Sequence, residues 1–255
     1  MPLTPEQIER AAQQLIEARR TNTPGPALAE DCRPTDGDSA VAIQKRVMEA
    51  LGETTGGWKC AVPKPGGLPI LSSIPASKIS SAIPYFVAGP KGLIEPEIAF
   101  VPAHDMPPRA TPYTDSEIRA SIGDTHYVIE LLGSRYANKP AATPGEILAD
   151  SFNNYGLWIG PKVEGIFEKK LDKLHVKITS GDTVLMDEDR PHPSGDPFVA
   201  YAWFVNYLRS TGETLRKGHI VTTGSYAGVV EAPLGKPVRA ELHGIGVVEI
   251  ELRVA

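Results

Sequence analysis

The chain has 255 residues, 41% of them hydrophobic and 22% charged, and a formal net charge of −5. That is the composition of a globular protein able to bury an ordinary core, and the acidic balance argues against a general affinity for nucleic acid, which needs a basic surface. No run approaches the 18 apolar residues of a membrane span, and Cys32 and Cys60 stand in unrelated contexts, without the C-x-x-C spacing of a redox or zinc motif. A cytoplasmic protein with no disulfide framework is the expectation.

The first residues are expected to begin a helix. Thr4-Pro5-Glu6-Gln7 supplies an N-cap, a proline at the first helical position and a capping-box glutamine. Ile8, Ala11, Ala12, Leu15 and Ile16 follow at helical spacing. The stretch from Thr21 to Pro34 carries three prolines and reads as a loop. Asp38 is the expected cap of a second helix, with Ile43, Val47 and Leu51 on one face and Gly52 at its end. Residues 1–52 therefore read as a helical lobe, too poor in large apolar groups to stand alone.

From residue 53 onward, strands and turns dominate, in keeping with 24 prolines and 24 glycines in the whole chain. Thr114-Asp115-Ser116-Glu117 and Thr143-Pro144-Gly145-Glu146 are capping boxes that open short helices. Leu174 to Ile178 and Val184 to Met186, joined by Ser180-Gly181-Asp182, read as a hairpin. Asp196-Pro197 opens a helix running towards Gly212, and Pro237–Leu242 with Val247–Val254 form a closing hairpin. Strands do not alternate regularly with helices, which argues against a Rossmann fold or an α/β barrel. One domain spanning 1–255 is expected, without internal repeat or linker.

The most informative segment is Leu93-Ile94-Glu95-Pro96-Glu97-Ile98-Ala99-Phe100-Val101. A strand has period two, so Glu95 and Glu97 share one face while Ile94, Ile98 and Phe100 take the other. Paired carboxylates repel unless a positive charge sits between them, and a hard divalent cation meets that need. A solvated edge face would present the same pattern. Glu130 stands alone in a second apolar run, Tyr127-Val128-Ile129-Glu130-Leu131-Leu132. A lone acid in such a run is paired or functional, because an unpaired buried charge costs several kcal/mol. Its partner is a metal shared with Glu95 and Glu97, or a cation such as Lys59 or Arg135.

Lys59 follows Gly56-Gly57-Trp58, a setting that suits either a desolvated acid–base lysine or an ordinary surface lysine at a strand start. Thr222-Thr223-Gly224-Ser225 follows the apolar Ile220-Val221 and offers hydroxyls and glycine N–H groups at a strand end, as a binding turn or simply a turn. His192, within Pro191-His192-Pro193, is a loop residue or a catalytic one. The P-loop, the G-x-G-x-x-G fingerprint and the G-x-S-x-G elbow are absent.

Taken in order, these segments resemble the fumarylacetoacetate hydrolase superfamily, and within it the 2-keto-4-pentenoate hydratase branch. The resemblance runs through Asp38 to Gln44, Gly57-Trp58-Lys59, Ile94 to Val101, Ile129 to Arg135, Gly195-Asp196-Pro197, Val221 to Ser225 and Gly244-Ile245-Gly246. It implies an α+β fold, a distorted mixed β-roll of the fumarylacetoacetase C-terminal type with an N-terminal helical lobe. It implies Mg²⁺ or Mn²⁺ held by Glu95, Glu97 and Glu130, a small-molecule 2-oxo acid as substrate, and Lys59 as the catalytic or positioning group. Thr223, Ser225 and Asn153 fall at substrate-binding positions. Family members form homo-oligomers, so a homo-oligomer is expected here.

The implied activity is hydration of a 2-hydroxy-dienoate or 2-oxo-enoate from aromatic ring cleavage. Decarboxylation of a 2-oxo acid, acylpyruvate C–C hydrolysis, and metal or ligand binding without turnover are the alternatives. Two departures bear on the choice. The family's Pro-Asp-aromatic-Gly stretch is replaced by Gly66-Gly67-Leu68-Pro69-Ile70, which has no acid, and its Asp-Asn-Ala-Ser by Asp150-Ser151-Phe152-Asn153. Both changes are expected beside the substrate.

Overall fold

The computed structural model describes residues 2–138 and 141–254. It begins with α1 (Pro5–Thr21) and α2 (Gly37–Ala50). The Thr4/Gln7 capping box forms as expected. The second cap is Asp36 rather than Asp38: its carboxylate accepts from the Ser39 N–H at 2.8 Å and from the Ser39 hydroxyl at 2.9 Å. Asp38 lies inside the first turn, where a negative charge still favours the helix N-terminus.

Then come β1 (Thr55–Ala61), β2 (Ile70–Pro75), β3 (Ile79–Ser80), β4 (Tyr85–Val87), β5 (Gly92–Pro102), α3 (Asp115–Ser121), β6 (Ile122–Leu132), α4 (Pro144–Ala149) and β7 (Asn154–Lys162). The chain continues through β8 (Lys173–Ser180), β9 (Thr183–Pro191), α5 (Pro197–Ser210), β10 (Ile220–Ser225), β11 (Val230–Ala232), β12 (Pro237–Leu242) and β13 (Gly246–Val254). Both hairpins and both short capped helices stand where the sequence places them.

The described strands form two sheets. The larger, mixed sheet runs β2-β1-β10-β5-β6-β7-β3, with β11 also paired to β5. The smaller runs β4-β13-β12-β8-β9. The larger sheet curls until its ends meet. A Cβ on Gly56 would lie 2.9 Å from the Ile79 side chain of β3 and 2.8 Å from the Ala76 backbone; one on Gly57 would lie 2.5 Å from the Ile220 carbonyl oxygen. The paired glycines ahead of Lys59 are there because two strands and a turn press against this backbone. The result is the α+β roll that the family resemblance implies.

One face of the curled sheet is covered by α5: Trp58, Phe100 and Val221 pack with Phe204, Tyr201 and Val205. The concave face holds a smaller cluster of Ile74, Ala99, Val128, Leu157 and Ile220. The helical lobe has its own cluster, in which Ala12, Leu15, Ile16 and Ile43 pack against Tyr136, Leu148 and Ala149 from beyond β6. Gly57→Ala is expected to destabilise the fold by about 1–3 kcal/mol, the usual cost of overpacking. Urea unfolding checks this, and an unchanged midpoint would show that the roll relaxes at its seam.

Candidate metal centre

Strand pairing brings the three glutamates together. β5 and β6 are antiparallel, with Glu95 directly opposite Glu130. Glu97 is one step further on the same face of β5. One carboxylate oxygen from each of the three lies within 4.8 Å of the others, an arrangement able to hold a metal ion. These strands are interior to the sheet, not an edge. Glu97 and Glu130 are fully buried, and the Glu95 side chain is only 15% exposed.

Lys59 reaches this cluster from β1, with Nζ 3.0 Å from Glu130 Oε1 and 3.4 Å from Glu95 Oε2. Burial works against its ammonium, but the attraction of Glu130, Glu95 and Glu97 outweighs that and pushes the pKa upward. Burial first, then the neighbouring carboxylates, pushes Glu97 well above the usual carboxylate range. Glu130 is also raised, by burial first, with Lys59 opposing and Glu95 adding. Two carboxylates about 4–5 Å apart repel by roughly 3–4 kcal/mol at an effective dielectric of 20. One lysine cannot offset three such charges.

Two further donors come from irregular backbone. Between Thr222 and Ser225 of β10, the partner strand advances only from Ala99 to Glu97, so one extra residue bulges out. The bulge turns the Gly224 N–H towards Glu97 Oε2, at 2.8 Å. Gly224 has φ of +105°, and a Cβ there would lie 2.9 Å from Pro193, so only glycine fits. His192 supports it from behind. Ser194 N–H donates to His192 Nδ1 at 3.2 Å, which leaves the proton on Nε2 to donate to the Gly224 carbonyl at 3.1 Å. His192 is thus a neutral, buried brace two contacts away from the carboxylates. Burial, opposed by its backbone hydrogen bonds, pulls its pKa from 6.5 down to about 4.

The second irregularity precedes β7. Ser151, Phe152 and Asn153 have φ of +56°, +49° and +59°. Three successive non-glycine residues in the left-handed region cost about 1–3 kcal/mol each. Arg135 holds them: it pairs with the buried Asp150 through Nε, donates to the Asp150 carbonyl at 2.6 Å and to the Asn154 carbonyl at 2.8 Å. Arg135 is therefore the partner of Asp150, not of Glu130. The turn delivers Asn154, whose Nδ2 donates to Glu130 Oε1 at 2.8 Å.

These donors leave Glu97 Oε1 and Glu130 Oε2 buried with no protein partner. Buried carboxylate oxygens are nearly always satisfied, and two left open within a ring of three acids fit a hard cation that prefers oxygen ligands. The residues present therefore fit a divalent metal.

The other candidates divide. Thr223 and Ser225 lie on β10 beside the carboxylates, but their hydroxyls donate to the Ile98 and Pro96 carbonyls at 2.7 and 2.9 Å. Asn153 is buried in the strained turn, with its side-chain oxygen unpartnered. Phe152, expected beside the substrate, packs instead against the cluster of the helical lobe. One contributor was not legible: Asn154 takes the place beside the carboxylates through the turn of left-handed residues ahead of it. The Gly224 N–H and Thr222 belong to the segment that the sequence offered as a binding turn, and only the register shows that Thr222 stands opposite Lys59, with a buried hydroxyl that has no partner.

No family model matches the chain. Solved structures do match its fold. A 4-oxalocrotonate decarboxylase from Pseudomonas putida G7, complexed with magnesium and adipate, is 19% identical, with a TM-score of 0.79 over 98% of both chains. The same enzyme complexed with calcium and acetate gives 20% identity and 0.79, again over 98% of both chains. A 2-hydroxyhepta-2,4-diene-1,7-dioate isomerase from Mycobacterium marinum is 14% identical, with a TM-score of 0.56 over 79% of this chain and 77% of that one. A yeast fumarylacetoacetate hydrolase family protein is 18% identical, at 0.55 over 77% of this chain and 92% of its own. The chain shares the fold of these proteins, in agreement with the resemblance read from its sequence.

Two outcomes are expected. Mn²⁺ at 100 times its dissociation constant stabilises the wild type by about 2.7 kcal/mol. Glu97→Gln loses that gain, yet unfolds no more easily than wild type in chelator, because it removes a repelled buried charge. Thermal melts with and without Mn²⁺ test the crossover, and a Glu97→Gln protein still stabilised like wild type would exclude Glu97 as a ligand. For His192, the folded pKa lies below the unfolded one. Its contribution is complete above pH 6.5 and is lost as pH falls towards 4. Urea midpoints of wild type and His192→Gln should therefore converge over that window.

Proposed function

We propose that this chain is a divalent-metal-dependent enzyme acting on a 2-oxo acid or its enol, and that it hydrates a 2-hydroxy-dienoate or 2-oxo-enoate derived from aromatic ring cleavage. The observation that carries the reading is the pair of unpartnered buried oxygens, Glu97 Oε1 and Glu130 Oε2, beside a lysine already committed to the charged state. Glu95, Glu97 and Glu130 would hold Mg²⁺ or Mn²⁺, which supplies Lewis-acid stabilisation of negative charge developing on a 2-oxo group.

The protein's own groups do the rest. Lys59 presents an ammonium at the open edge of the cluster, where it can hold a substrate carboxylate or move a proton to and from an enol oxygen. Asn154 and the Gly224 N–H fix two of the carboxylates, so that the cluster does not rearrange as charge develops. The burial of Glu97, Glu130 and the surrounding Ile74, Ala99 and Leu157 keeps bulk water from the interior side. Thr222 adds a hydroxyl beside Lys59 that is free to orient a water or a substrate oxygen.

Decarboxylation of a 2-oxo acid is a second reading. It is supported by the end-to-end fold match to a decarboxylase, at 98% of both chains, and by the lack of an acid in the segment Gly66 to Ile70. Both readings need the same polarised 2-oxo group and differ in which bond then changes. Incubation with a panel of 2-oxo and 2-hydroxy-dienoic acids, with Mg²⁺ and with Mn²⁺ and with mass spectrometry of products, separates them. Addition of water supports the hydratase, loss of CO₂ the decarboxylase, and no change with any substrate defeats both.

Lys59→Met is expected to lower kcat/KM by at least ~100-fold, the scale of a lost acid–base group. The variant also loses stability, because Glu130 forfeits its buried counter-ion, so turnover is measured on protein shown by circular dichroism to be folded at saturating Mg²⁺. Near-normal turnover in that variant would make Lys59 a structural counter-ion only.

A further inference from the structure

Lys59 lies on β1 between β2 and β10, and the register fixes what stands on each side of it. Ser72 is its cross-strand partner on β2, and Thr222 is its partner on β10. Cross-strand partners share a face of the sheet, so both hydroxyls point with Lys59 into the concave side of the roll. Two residues back on β1, Gly57 stands between Ile74 and Ile220, which belong to the apolar cluster of that side. The concave side therefore has an apolar floor. Directly above it, Ser72, Lys59 and Thr222 form a polar layer beside the three glutamates.

The fold makes little use of either hydroxyl. Ser72 and Thr222 are both fully buried. Thr222 Oγ1 has no hydrogen-bond partner. The Ser72 hydroxyl donates, among the described residues, to the carbonyl of the next residue, Ser73, at 2.9 Å. A buried polar group without a good partner costs free energy that an apolar side chain of the same size does not. Stability alone would be served better by alanine at 72 and valine at 222. Nor is Ser72 on a loose strand. Gln44, buried in α2, donates through Nε2 to the Leu71 carbonyl at 3.2 Å and to the Leu148 carbonyl at 2.5 Å, which ties β2 to the helical lobe.

The surroundings of these hydroxyls are rich in acceptors. Ionised Glu95, Glu97 and Glu130 offer only lone pairs, so an anionic ligand placed beside them needs donors. Lys59 is one, and it is already engaged with Glu130 and Glu95. Ser72 and Thr222 are the hydroxyls in register with it. A hydroxyl can turn to donate to a carboxylate or a 2-oxo oxygen, whereas an acid in the same place would repel the ligand. The segment that leads into β2, Gly66 to Ile70, carries no acid either. The side chains of Lys59 and Glu95 are 13% and 15% exposed, so the layer is reached from solvent on their side.

We propose that Ser72 and Thr222 are substrate-contacting residues, whose hydroxyls donate to the carboxylate and 2-oxo oxygens of the bound acid on either flank of the Lys59 ammonium. The inference rests on the reading that a 2-oxo acid binds at Glu95, Glu97 and Glu130. It makes recognition of the acid end depend on two neutral donors as well as on the charges of the cluster.

Isothermal titration of the full, Mg²⁺-loaded protein with 2-oxopentanoate tests this apart from turnover. The probe keeps the 2-oxo acid end and has no double bond to hydrate. Ser72→Ala and Thr222→Val are each expected to bind it roughly 10- to 100-fold more weakly than wild type, the worth of a hydrogen bond to a charged group. Thr222→Ser keeps the hydroxyl and should bind close to wild type. Mg²⁺ titrated alone should bind all of these proteins alike. Thermal melts separate contact from structure. Thr222→Val removes a buried hydroxyl that has no partner, so it should melt no lower than wild type while losing affinity.

Wild-type affinity in folded Ser72→Ala and Thr222→Val proteins overturns the proposal and leaves the 2-oxo acid reading standing. A lower melting temperature with affinity kept does the same, because it makes the hydroxyls structural. Should Thr222→Val not fold, Thr222→Ala takes its place in the comparison. A wild type that binds Mg²⁺ but no 2-oxopentanoate overturns the proposal together with the reading on which it rests.

Discussion

Mutual repulsion among three carboxylates on one face of a sheet is the constraint to which the rest of this molecule answers. Glu95 and Glu130 face each other across two strands, and Glu97 lies one step along. Each pair within 4–5 Å costs roughly 3–4 kcal/mol if both are charged, and burial of Glu97 and Glu130 adds to that. The surrounding structure reads as a set of partial offsets: Lys59, Asn154 and the Gly224 N–H each take one oxygen or share one. None reaches Glu97 Oε1 or Glu130 Oε2. The offset is incomplete by about the charge that a divalent cation carries.

The offsets require backbone that a regular sheet does not provide. A bulge in β10 frees the Gly224 N–H from the ladder, and His192 and Pro193 fill the space behind it. A turn of three left-handed residues, clamped by Arg135 and Asp150, sets Asn154 against Glu130. The clamp is itself a buried ion pair with every contact directed at the turn, so its stabilisation is applied where the strain is. Rigidity here has a chemical use. A cluster whose donors are fixed in advance does not need to reorganise when charge appears on a bound molecule.

The site is also polarised along the strand direction. An acidic cluster lies at Glu95 and a basic cavity begins about 7 Å away, past Leu93. The cations of that cavity come from α1, from the turn before β3, from Lys91 ahead of β5 and from the segment after β6, so the helical lobe contributes to the electrostatics of the roll as well as packing on it. This gives the lobe a role that the apolar spacing of its helices does not suggest. Arg19 is one of two consecutive arginines at the end of a helix, a position that by itself reads as complement to the helix dipole.

Much of this was legible in the sequence where the signal is local. Period-two alternation put Glu95 and Glu97 on one face, capping boxes set the starts of α1, α3 and α4, and the isolation of Glu130 marked it as paired or functional. The order of these segments carried the resemblance to a superfamily whose fold the chain has. Where competing acids were near each other, as with Asp36 and Asp38, the sequence did not discriminate, because both can cap and the choice depends on where the helix begins. What only the tertiary structure decided were the contacts between elements distant in the chain: Lys59 with Glu130, Arg135 with Asp150 rather than Glu130, Asn154 rather than Asn153 at the carboxylate, Phe152 turned to the lobe, and Arg19 short of a counter-ion. The physical reason is common to all of them. Which side chain meets which is set by strand register, bulges and the curl of the sheet, and those depend on the packing of the whole chain rather than on any window of it.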